Sequence, residues 1–177
     1  ILEALRRLAQ ELAGQSARTE LLVMGGAAVV LVYGARQTTK DVDVLVSGPT
    51  PPAVVRAAAL RVAEELGLPA TWLSDAAKGF LHGIEPGAII LDAPALLVRC
   101  LAPQQLLAMK LSAWRDDIDI GDARLLLSKL DGSPEEIWAL VEPYLVPGRE
   151  LTARYAFFRP RIPYHHCDSH AYQCRIP

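Results

Sequence analysis

Met24-Gly25-Gly26-Ala27-Ala28, followed by Arg36-Gln37-Thr38-Thr39-Lys40-Asp41-Val42-Asp43-Val44-Leu45-Val46, is the stretch whose reading decides the fold. Leu21 to Met24 is a short apolar run that ends in two glycines, and Ala27 to Tyr33 continues apolar with no polar stripe. That pattern predicts a strand, a tight turn and a buried helix. Paired glycines let a ligand approach the backbone, and the N–H groups of the following first helical turn favour an anion such as a phosphate. Gly34 is placed to close the helix in the left-handed conformation. Beyond a polar turn, Asp41 to Val46 predicts a second strand whose period of two sets Asp41 and Asp43 on one face.

Two carboxylates on one face at the start of an apolar strand repel each other unless a cation lies between them. Magnesium suits the position, being a hard ion held by one or two carboxylates together with substrate phosphates; manganese is the alternative. An Asp-x-Asp at a strand edge is, taken alone, equally consistent with a solvated strand start. Coupled to the glycine turn one helix upstream, it reads as a nucleoside triphosphate site, with Gly25 and Gly26 cradling phosphates and Asp41 and Asp43 holding the metal.

This combination resembles the DNA polymerase beta-like nucleotidyltransferase superfamily. Within it, Gly25-Gly26, Arg36, the Thr38-Thr39-Lys40-Asp41-Val42-Asp43 run and Leu106-Leu107-Ala108-Met109-Lys110-Leu111 look most like the AbiEii and MenT group of bacterial toxin nucleotidyltransferases, over roughly residues 20 to 130. Gly26 stands where a serine is common in the superfamily, and 14 residues separate Gly26 from Asp41. The resemblance implies a small mixed sheet with packed helices, hence an α/β (α+β) fold. It also implies transfer of a nucleoside monophosphate from a triphosphate to the 3′ end of tRNA, which blocks aminoacylation. A cognate antitoxin, in some cases a kinase, is implied as partner. Lys110 is implied as a catalytic residue that neutralises the triphosphate, with Asp119 and Asp122 as candidates to serve the same site; Arg36 and Lys40 are placed to contact phosphates. A phosphate on Thr39, two residues before Asp41, would add about two negative charges beside the metal carboxylates, so Thr39 is a candidate regulatory site.

Bulk properties are consistent with these expectations. The 177 residues, 51% hydrophobic and 6% aromatic, suffice for one well-cored domain. A net charge of −2 gives no overall basic character, so any RNA must be held by a local patch. Three cysteines, Cys100, Cys167 and Cys174, make no even disulfide framework, which fits a reducing cytoplasm. No apolar run is long enough to span a bilayer, and residues 1–7 lack a signal-peptide pattern.

Along the chain, Leu2, Leu5, Leu8 and Leu12 recur at helical spacing. A further helix is expected over 53–66. Short apolar runs at 70–73, 79–82, 88–91 and 95–101 predict further strands, some antiparallel. Asp92 is a candidate third metal-facing carboxylate, although Asp92-Ala93-Pro94 is also ordinary turn chemistry. Pro103 opens a helix in which Lys110 projects from the middle of the apolar face. A lysine there is costly unless its ammonium meets an anion, either the triphosphate or a carboxylate. Asp119 reads as an N-cap with Asp122 as its N3 partner, and Ser133-Pro134-Glu135-Glu136 as a capping box.

The expected organisation is a nucleotidyltransferase core over 1–102, a helical region packed on it over 103–146, and a tail over 147–177 without expected order. The tail mixes arginines (149, 154, 159, 161, 175) with Tyr155, Phe157, Phe158, Tyr164 and Tyr172, a composition suited to single-stranded RNA. His165, His166, Cys167, His170 and Cys174 hint at a metal clip, but their spacing fits no zinc module. Three rival functions remain open from the residues alone: transfer to a small aminoglycoside-like molecule or a protein hydroxyl, a non-catalytic partner-binding module, and a sugar-nucleotide glycosyltransferase.

Overall fold

The computed structural model describes residues 1–14, 18–34, 41–114 and 116–158. Among them, seven α-helices surround one mixed five-stranded sheet. The strands are β1 (Thr19–Met24), β2 (Val42–Ser47), β3 (Leu73–Ser74), β4 (Pro86–Ala93) and β5 (Leu96–Leu101), in the order β3-β2-β1-β5-β4. β1 runs antiparallel to β2 and parallel to β5, β2 is parallel to β3, and β4 closes the other edge antiparallel to β5. This is the α/β (α+β) architecture that the short apolar runs and the resemblance led us to expect.

The helices are α1 (Leu2–Glu11), α2 (Gly25–Tyr33), α3 (Pro52–Leu66), α4 (Pro103–Ala113), α5 (Asp117–Leu127), α6 (Pro134–Val141) and α7 (Glu150–Phe158). α1 is amphipathic, burying Leu5 and Leu8 against α3 while Glu3 and Arg6 face solvent. α2, apolar all round, lies inside the molecule, touching β1, β2, α4 and α5, as a helix with no polar stripe must. Gly34 ends it in the left-handed conformation, as expected. Cys100 on β5 is fully buried, and desolvation pushes its thiol up, leaving an inert core group.

Several expected elements differ. The run 79–82 is not a strand: Ala76–Phe80 forms a 3₁₀ turn, and the loop after it is tied down by Gln105. The Gln105 amide, wholly buried at the start of α4, accepts from Glu85 N–H (2.7 Å) and donates to the carbonyls of His82 and Gly83. A single glutamine thus satisfies three backbone groups that a strand would have paired. α5 is capped by Asp116, whose side chain accepts from Asp119 N–H, so Asp119 is the N3 residue and not the cap. The capping box of Ser133 and Glu136 is formed as read.

Part of the tail is also structured. α7 packs on α4 through Ala153, Ala156 and Phe157, and Phe157 stacks at a tilt on Trp138 with ring centroids 5.2 Å apart. Phe157 is therefore core and not a platform for RNA bases. Residues 159–177, with the His and Cys cluster, lie outside the described residues.

The edge strand β4 is irregular, with register shifts between Pro86 and Ile89 and again before Leu91. Gly87 sits in the first shift, where a Cβ would lie 2.8 Å from the Leu101 carbonyl oxygen and 3.0 Å from Ala102 N. The Leu101–Ala102 peptide backbone cannot yield as a flexible side chain would. Gly87→Ala is expected to lower the unfolding free energy by about 1–3 kcal/mol, read as a lower urea midpoint with an unchanged m-value.

Candidate active site

The antiparallel register pairs Met24 with Asp43, so the glycine turn that follows Met24 and the Asp-x-Asp that opens β2 meet at one corner of the sheet. Alternation along β2 sends Val42 and Val44 into the core and turns Asp43 the other way, half buried. Asp41 precedes the strand and is exposed. Their backbone is anchored by Val42 N–H donating to the Trp72 carbonyl at 2.7 Å.

Gly25 adopts φ +62°, a left-handed conformation that costs glycine nothing. A Cβ on it would lie 3.3 Å from Asp43 Oδ2. The glycine therefore leaves open the space in front of that oxygen. The residue flanking α2 on its N-terminal side is Met24, whose thioether cannot cap the first-turn N–H groups. Carboxylate and helix N-terminus thus meet at one corner, where a hard cation and a phosphate can sit side by side.

The other carboxylate oxygen is engaged. Asp43 Oδ1 accepts from Ser74 Oγ at 2.8 Å and from Ala77 N–H at 3.3 Å. Ser74 lies opposite Asp43 in the parallel β2–β3 register, on a strand of two residues. Reading the residues in order missed Ser74. Nothing in the run Trp72-Leu73-Ser74-Asp75 signals it, because its role depends on which strand β3 joins.

Lys110 finds its anion inside the protein. It is 7% exposed, and its Nζ lies 2.9 Å from Asp119 Oδ1 and 2.8 Å from Asp122 Oδ2. α4 ends at Trp114, a non-glycine residue held at φ +37°, and the sharp reversal there returns α5 along α4 so that Asp119 and Asp122 face the lysine. The structure thus brings together Lys110, Asp119 and Asp122 as one group and Gly25, Asp43 and Ser74 as another. α2 begins at the second group and touches both helices of the first.

Asp92 stands apart. It pairs with Leu97 of β5, which pairs with Glu20 of β1, four residues or roughly 13 Å along the strand from Met24. Its carboxylate is bridged to Arg18. The register therefore removes Asp92 from the Asp43 corner and makes it a surface ion pair. Gly26 lies in the first turn of α2, whereas Arg36, Thr39 and Lys40 lie outside the described residues.

The corner fits a magnesium or manganese ion of a particular kind. No group of three or more His, Cys, Asp or Glu side chains suited to a metal occurs among the described residues. Asp43 offers one carboxylate oxygen there and Asp41 is the second candidate ligand; a hard ion that takes its remaining ligands from substrate phosphates and water needs no more than one or two carboxylates.

A five-stranded mixed sheet carrying a glycine turn beside an Asp-x-Asp strand defines a nucleotidyltransferase-type fold. The family model described as nucleotidyltransferase of unknown function (DUF6036) matches residues 1–131, and the chain belongs to that family. Neither the curated proteins nor the solved structures returned a match. No helix among the described residues is long and apolar enough to cross a membrane.

Removing the Lys110 ammonium leaves Asp119 and Asp122 facing a buried apolar group. Lys110→Met is expected to destabilise the fold by about 3–5 kcal/mol in denaturant unfolding, and Asp119→Asn in the same chain to restore part of the loss.

Proposed function

We propose that this nucleotidyltransferase is a toxin that moves a nucleoside monophosphate from a triphosphate to the 3′ end of tRNA, blocking aminoacylation. The observation that carries the transferase chemistry is the Asp43 carboxylate, fixed beside the Gly25 turn at the uncapped start of α2. The terminal ribose hydroxyl attacks the α-phosphorus; the new P–O bond forms as the α–β anhydride breaks, pyrophosphate leaves, and the hydroxyl proton passes to solvent or a nearby carboxylate. Gly25 and the first-turn N–H groups of α2 would bind the phosphates, and Asp41 and Asp43 would hold the divalent ion. Bound there, such an ion would supply positive charge to the phosphates during the transfer. The protein's own contribution is positioning and a fixed electrostatic field.

The tRNA acceptor and the toxin role are supported by the resemblance carried in Gly25-Gly26, the Thr38 to Asp43 run and the α4 segment around Lys110. Arg36 and Lys40 are proposed to contact phosphates of either substrate. Lys110 acts, in this reading, by pinning α4 to α5 through Asp119 and Asp122.

Incubating the chain with total tRNA, Mg²⁺ and each α-labelled nucleoside triphosphate in turn should label tRNA with one or more of them. Asp43→Asn should lower that labelling at least about 100-fold, the scale expected when a charge-stabilising group is lost. Triphosphate binding without label on RNA would instead assign a small-molecule or protein hydroxyl as acceptor.

A cognate antitoxin, a kinase in this reading, is proposed to silence the enzyme by phosphorylating Thr39. The added charge would compete with the triphosphate beside Asp41. Thr39→Glu should then label tRNA far more slowly than the wild type; full activity in that variant disproves the regulation.

A further inference from the structure

We propose that Ser74 is a positioning residue that commits Asp43 to bind the metal through a single oxygen, Oδ2. This rests on the reading of Asp43 as a metal ligand made above. The Ser74 hydroxyl has little freedom. Its oxygen accepts from Ala76 N–H at 3.1 Å, which points its proton away from that group and toward Asp43 Oδ1, 2.8 Å distant. Ala77 N–H reaches the same oxygen at 3.3 Å. With both donors on Oδ1, the carboxylate cannot turn to offer its two oxygens together. Oδ2 is left as the outward atom, facing the space that Gly25 keeps open.

The donor is itself firmly held. Trp72, two residues earlier, is buried and its indole N–H donates to the Ala59 carbonyl of α3 at 2.9 Å. The Trp72 carbonyl in turn accepts from Val42 N–H. β3 is therefore clamped both to the helix behind it and to the strand that carries Asp43. Such support turns a two-residue strand into a rigid arm for one hydroxyl. A carboxylate on a half-buried strand would otherwise sample rotamers, and fixing it before the ligand arrives removes an ordering cost from binding.

Titration calorimetry of the full chain with the Mn²⁺ complex of inorganic triphosphate tests this without requiring knowledge of the base or the acceptor. Wild type should bind and Asp43→Asn should lose binding. Ser74→Ala should bind about five- to tenfold more weakly, as expected for one hydrogen bond to a charged group. Ser74→Thr, which keeps the hydroxyl, should recover most of the affinity, and the thermal midpoints of the Ser74 variants should stay close to wild type. Wild-type affinity in Ser74→Ala, with binding lost in Asp43→Asn, overturns the positioning role and leaves the metal reading standing. Equal weakening in Ser74→Ala and Ser74→Thr also overturns it, because the hydroxyl is then not the agent. Binding absent from the wild type, or unchanged in Asp43→Asn, overturns the metal reading and the positioning role together.

Discussion

The register between β1 and β2, with Met24 opposite Asp43, is the constraint on which the rest of the site depends. It is held by burial and not by the acidic residue itself: Val42 and Val44 are almost wholly removed from water on the core side. A slip of one residue would expose both valines and drive Asp43 into the core, a loss of several kcal/mol on each count. Apolar packing thereby aims a charged group. β3 adds the second constraint, since its pairing with β2 brings Ser74 into line with Asp43.

Four of the aspartates show three different physical situations. Asp43 keeps one oxygen bonded and the other turned to the open corner at Gly25. Asp119 and Asp122 are buried and held by the Lys110 ammonium, which couples α4 to α5. Asp92 sits on the surface with Arg18. The first arrangement leaves a carboxylate ready for a ligand, the second spends its charge inside the fold, and the third is worth little to stability because water screens it. One residue type in one chain thus carries a candidate site, a lock between helices and a solvated pair.

The helical half does more than cover the sheet. α2 starts at the candidate site and runs against both α4 and α5, so the Lys110 group braces the helix whose first turn lies beside Asp43. α7 extends this packing, setting Ala153, Ala156 and Phe157 against the core while Leu151 on its other side remains 85% exposed. Arg154 lies over the Trp138 and Phe158 rings at that rim, at 5.7 and 5.4 Å from their centroids.

Local chemistry made much of this legible in the residues alone. Two glycines after an apolar run, an apolar helix, and the alternating Val42-Asp43-Val44 determine a turn, a buried helix and a strand that turns Asp43 away from the core through short-range sterics and period. Ser133 with Glu136 determines a capping box in the same way, and Lys110 amid leucines requires an anion because a buried ammonium must be compensated. Which anion it meets was settled only by the reversal at Trp114 that folds α5 back. The exclusion of Asp92 from the corner, the alignment of Ser74 with Asp43 and the conversion of 79–82 from strand to a loop pinned by Gln105 were likewise decided in three dimensions. Strand order and register join residues far apart in sequence, and no local propensity encodes which partner a strand edge or a buried amide will find.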